Sequence, residues 1–191
     1  MHYAALHPES RALLSSWEAL NGFSTGTDVP VEAPASLHTP VHTDATGMVE
    51  RLFLAQRVGE GVFTFKTVGT ALKQWTGRDL RDHELGTLVQ GPDRMLLRAL
   101  LEAAVAAPGP ALARMSAFGA APGQRQEIEL VFLPLIEKGQ ADRVLGLFQP
   151  LGMPPRVSRP VLRFALTALL PPAPTVPERP TLKLVANNDR V

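Results

Sequence analysis

The sequence predicts an α+β fold built on one five-stranded antiparallel sheet with short helices crossing it. Three observations predict this. Two strand-like runs, residues 48–58 and 62–68, flank Gly59-Glu60-Gly61. A stretch of helical periodicity follows them. Three further strand-like runs, separated by glycine-containing turns, then close the region. Glycines at a short connection supply positive φ, so the first two runs read as a β-hairpin.

Residues 10–20 read as a helix: Pro8, Glu9 and Ser10 make a start, Leu13, Leu14, Trp17 and Leu20 share one face, and Asn21-Gly22 is a stop. Residues 22–47 show no periodicity and read as loop. After the hairpin, residues 70–75 form a short helix ended by Thr76-Gly77. Gly69 suits the reversal from strand to helix, and the Thr70 hydroxyl can cap that helix, contributing about 1 kcal/mol. Gly77 suits its C′ position. Residues 92–106 make a stronger helix. Pro92 and Asp93 suit its first turn, Leu96, Leu97, Leu100, Leu101, Ala104 and Val105 form its apolar stripe, and Pro108-Gly109-Pro110 stops it. Runs 111–118, 126–135 and 143–151 are the last three strands, with turns at 119–123 and 139–142.

Proline positions divide the chain. Nine of the 18 prolines fall between Pro150 and Pro180, and only five lie between Met48 and Leu147. Proline lacks a backbone donor and resists helix and sheet interiors, so the compact domain is expected at 48–151. Residues 1–47 would supply a flanking helix and loop, and 152–191 a proline-rich extension. Within that extension, residues 161–170 alternate with period 2, and Leu162, Phe164, Leu166, Ala168 and Leu170 share a face. A strand is therefore favoured over a helix there. Such a strand must pair with a sheet edge or with another chain. Residues 171–180 read as an extended tether, and Thr181 to Ala186 (TLKLVA) as a short apolar run able to dock on its own domain or on a partner.

Composition narrows the function classes. The chain has 191 residues, 45% of them apolar, and 19 Lys plus Arg against 18 Asp plus Glu. Balanced charge disfavours a nucleic-acid arm or a polybasic membrane patch. With no Cys, disulfides, thiolate metal sites, iron–sulfur clusters, cysteine nucleophiles and flavin–cysteinyl adducts are excluded. The N-terminus lacks the basic-then-apolar pattern of a signal peptide, and the longest apolar run, 161–170, is half a bilayer span. The expectation is a cytoplasmic protein without a membrane span.

Chemistry-bearing residues are few. His38 and His42 are four apart but sit in a Pro/Thr-rich stretch with only Asp44 as an acidic neighbour, so a metal site is disfavoured. His2 and His7 belong to the terminus, and His83 reads as a polar surface or cap residue. Glu127 and Glu129 share one strand face opposite Ile128, Leu130 and Phe132. A solvated outer face explains them, with Arg143 on the neighbouring strand as their cross-strand partner. No phosphate-cradling loop, nucleophile elbow or zinc-peptidase motif occurs, and no catalytic or metal residue is assigned. Catalysis is disfavoured.

One resemblance is carried by residues 52–80. The aromatic strand with Phe63 and Phe65, then Gly69-Thr70, a short helix and Gly77-Arg78-Asp79-Leu80, resembles a family of small bacterial single-domain PAS proteins. Glu129, Leu130, Pro134 and Leu135, and the start of the last strand at Asp142 to Gly146, resemble that family's final strands. The family tends to place a Gly shortly after the Arg-Asp-Leu turn, where this chain has Arg81-Asp82-His83; Asp tolerates left-handed geometry better than most residues.

The resemblance implies a non-enzymatic signalling or regulatory role, exercised through self-association and partner binding. It points to a homodimer formed by the N-terminal helix or the sheet, and to an unidentified bacterial signalling partner. The alternative is a sensor holding a small apolar ligand between sheet and helices, lined by Phe65, Trp75, Leu97, Leu101 and Leu130. No cofactor is expected. The position of His83 corresponds to a region where some PAS proteins hold haem, but no haem motif accompanies it. A small enzyme is the least favoured reading.

Overall fold

In the computed structural model, which describes residues 6–21, 45–152 and 157–173, the apolar alternation of the strands resolves into one sheet covered on both faces. The helices α1 (Pro8–Asn21) and α2 (Ala45–Val49) come first. The hairpin β1 (Leu52–Gly59) and β2 (Val62–Val68) leads to α3 (Thr70–Thr76), a 3-10 turn at Leu85–Leu88 and α4 (Pro92–Ala106). Strands β3 (Ala111–Phe118), β4 (Arg125–Glu137), β5 (Gln140–Pro150) and β6 (Arg163–Leu170) complete the fold. All pairings are antiparallel, in the order β2-β1-β5-β4-β3-β6.

The α+β expectation and its five sheet strands hold, but the sheet has six strands. Residues 163–170 pair along the length of β3, from Phe118↔Arg163 to Leu112↔Leu170. They satisfy backbone groups that β3 would otherwise present as an open edge. The alternation predicted for this strand does not run through. Arg114 faces Ala168 while Met115 faces Leu166, so Thr167 forms a bulge and the pleat changes sides. Phe164 and Leu166 pack on the inner core, Leu170 packs on the opposite face, and Leu162 is 69% exposed.

Local expectations are corrected in three places. The first strand starts at Leu52 rather than Met48, because residues 45–49 form a helical turn closed by Arg51 N donating to Met48 O at 2.9 Å. Thr70 does not cap α3: it is the first helical residue, and Gly69 occupies the cap position without a side-chain hydrogen bond. Leu96 leaves the α4 stripe and is 51% exposed. Other local readings are realised. Gly77 takes the left-handed conformation (φ 71°) and donates to Lys73 O at 2.8 Å, the geometry a glycine terminates best. Asp82 is also left-handed, at φ 60°.

Both sheet edges are partly closed by the segment between α3 and α4. Phe65 N donates to His83 O at 3.0 Å and Asp82 N to Phe65 O at 2.8 Å along β2. At the other edge Val89 of the segment bridges Phe164, and Leu166 N donates to Asp93 Oδ2, in the first turn of α4, at 2.9 Å. The segment is pinned to α4 by Arg98 Nε donating to Glu84 Oε1 at 2.6 Å. That guanidinium holds the Glu84 carboxyl below its ordinary value of 4.5. A depressed folded-state pKa gives stability that is present above the unfolded value and lost as pH falls through the folded one. Thermal unfolding measured across a pH series is therefore expected to weaken below about pH 4.5, and Glu84→Gln to flatten part of that slope. A variant whose profile parallels the wild type would contradict this role.

Candidate functional site

The five residues expected to line a ligand cavity do come together. Phe65, Trp75, Leu97, Leu101 and Leu130 are all fully buried in one core between the sheet's inner face and the crossing helices. They are surrounded by interlocked rings. Phe53 meets Phe65 and Phe132 edge-on at 5.4 and 6.2 Å, and Phe148 meets Trp75 and Phe164 at 5.5 and 6.1 Å. Edge-to-face geometry at these separations is favourable beyond simple burial. Trp75 alone of the five also borders a surface cleft described below.

The outer face is solvated only in part: the Glu127 side chain stays 40% exposed, but the centre of the face is covered. Residues Leu14 and Trp17 of α1 pack on Leu112, Val131, Leu133 and Leu147, and Trp17 Nε1 donates to Pro134 O at 2.8 Å. Glu129 is consequently 0% exposed. It accepts from Arg114 Nη2 at 3.1 Å and from the His7 backbone N–H at 3.2 Å. Glu127 accepts from Ser116 Oγ at 2.9 Å and Arg125 Nε at 2.7 Å. The expected partner, Arg143, pairs with Glu137 instead. Register explains the change: β5 places Arg143 against Leu135, whereas Glu129 lies between Gln149 on β5 and Arg114 on β3. Since a buried carboxylate requires a partner, Arg114 is the residue that makes Glu129 tolerable beneath α1.

Where these flanking segments meet the core, a cleft of about 420 Å³ opens. Its walls come from the start of α1 (His7, Glu9), the α2–β1 turn (Glu50, Arg51), α3 (Gln74, Trp75), the end of β5 (Gln149) and the segment before β6 (Arg159). Arg51 is neutralised by Glu9, Nη2 to Oε2 2.7 Å, and its Nε donates to Gly47 O at 2.9 Å. Arg159 lies over the Trp75 ring, 4.9 Å from its centroid, and its Nη1 donates to Gln74 Oε1 at 3.2 Å. These residues come from five separated stretches that no motif links, and of them only Trp75 was expected at a ligand site.

The histidines do not gather. His83 lies on the surface with Nδ1 3.0 Å from Arg81 O, and His7 borders the cleft. His2, His38 and His42 lie outside the described residues. Among the described residues no three His, Asp or Glu side chains converge as metal ligands, and no helix is long and apolar enough to cross a membrane.

The strand order, the helices crossing the inner face and the hairpin lead to one family. A family model described as a PAS domain matches residues 6–149, from the start of α1 to the end of β5. Comparison with curated proteins finds no match. With its greater part covered by that model, the chain belongs to the PAS domain family.

Proposed function

We propose that this chain is a non-enzymatic PAS signalling module of the bacterial cytoplasm that acts through self-association and through binding a regulatory partner. PAS domains are sensory and regulatory modules, which supports the signalling half of this reading. The observation that carries the rest is the apolar strip beside α1. The helix spends Leu14 and Trp17 on the sheet, while Leu13, Leu52, Ile136 and Leu145 around it stay half-buried and Leu20 at its end is 86% exposed. A second copy laid on the same strip would cover these groups by two-fold symmetry.

The packing of the inner core favours this reading over the alternative of an apolar ligand held there. Such a ligand would need Phe65, Trp75, Leu97, Leu101 and Leu130 to yield space that their side chains occupy. Signalling then follows from differential affinity: a partner that prefers one arrangement of α1 and the β6 segment shifts their populations. The apolar run 181–186, a further candidate for partner contact, lies outside the described residues. The test is the solution mass of the full chain beside that of Leu145→Asp, which places a charge in the strip.

A further inference from the structure

Gln149, at the end of β5, is 3% exposed, and its Nε2 donates to Pro150 O at 2.9 Å. That bond fixes the amide's orientation, since turning it over would set Oε1 against another carbonyl oxygen. Gln149 lines the cleft, and its Oε1 is a buried acceptor without a hydrogen-bond partner among the described residues. Buried acceptors are rarely left so. The chemistry around it is specific. Arg51 is already spent on Glu9 and the Gly47 carbonyl. Among the described residues, Glu50 and Arg159 line the same cleft without an ion pair, and the Trp75 face holds the Arg159 guanidinium in place.

We propose that this cleft binds a small zwitterion of the amino-acid class. Its ammonium group donates to Gln149 Oε1 beside the Glu50 carboxylate, and its carboxylate is received by Arg159. A simple anion would leave the buried acceptor unmet, and a simple cation would leave Arg159 unmet; a zwitterion answers both. The volume, about 420 Å³, falls in the range of small-molecule sites. This site shares only Trp75 with the five core residues expected to line a ligand cavity and does not depend on self-association. Because its walls belong to α1, α3, β5 and the segment before β6, an occupant would tie both flanks to the sheet.

The experiment is thermal unfolding of the full chain, with native mass spectrometry, titrated with each of the 20 standard amino acids. Any binder is then compared with the amine lacking its carboxylate and the acid lacking its ammonium group. At least one amino acid is expected to raise the unfolding temperature saturably. Each half-ligand is expected to bind weaker by about tenfold or more. Gln149→Leu should lose the response by a similar factor, and so should Arg159→Gln, which changes an exposed side chain and tests the site without disturbing the core. The proposal is overturned if no amino acid shifts the transition, if the half-ligands bind as well as the parent, or if both variants respond like the wild type.

Discussion

Gly69→Ala is expected to destabilise the domain by about 3–4 kcal/mol, lowering its midpoint by roughly 10 °C. Gly69 lies at the β2–α3 junction with φ −65°, an angle any residue adopts. The requirement for glycine is closeness. A Cβ built there would sit 2.8 Å from the Leu52 carbonyl oxygen and closer still to that of Glu50. Neither oxygen can retreat freely, because Leu52 O accepts from Gly69 N at 2.8 Å and Glu50 O from Ala71 N at 2.9 Å. Overpacking against flexible side chains usually costs about 1–3 kcal/mol; an obstacle made of hydrogen-bonded backbone lifts the expectation above that. Gly59 in the hairpin is the control. An added Cβ there meets only the Val62 Cβ at 3.9 Å, so Gly59→Ala should change stability by about 0.5 kcal/mol or less. Denaturant unfolding of both variants decides the matter; equal effects would refute the account of the junction.

Arg114→Met is expected to cost about 3 kcal/mol. The change strips the fully buried Glu129 carboxylate of its guanidinium and leaves it the His7 N–H. The expectation sits at the lower end for a broken buried pair because Arg114 still reaches solvent. Adding Glu129→Leu should restore most of the loss, since replacing both partners by apolar groups is often neutral. The double-mutant cycle separates the pair from its surroundings. Amide exchange of α1 should quicken in Arg114→Met, as the His7 contact is what joins the start of α1 to this pair. Two losses that simply add would show that the pair does not act as a unit.

The strands were legible because their alternation is local: Phe53, Phe63 and Phe65, or Ile128, Leu130 and Phe132, announce an inner face within a few residues. Gly77 and Asp82 were legible for the same reason, each answering a backbone geometry at its own position. The outer face was not. Whether Glu129 meets water depends on α1, more than a hundred residues away, and on a β4–β5 register that pairs it with Gln149 rather than Arg143. The bulge at Thr167 likewise depends on β3. Its neighbours 164–170 alternate smoothly in sequence, so only the pairing reveals that Leu166 and Leu170 end on opposite faces. The cleft was the least legible feature, because five distant stretches supply one or two side chains each.

The strip beside α1 is the proposed self-association surface. Light scattering coupled to size-exclusion chromatography on the full chain tests it directly. A mass about twice that of the 20.6 kDa chain is expected, falling to a single chain for Leu145→Asp with its fold intact. A wild-type mass of one chain at every concentration, or a dimer that Leu145→Asp leaves undisturbed, would contradict it.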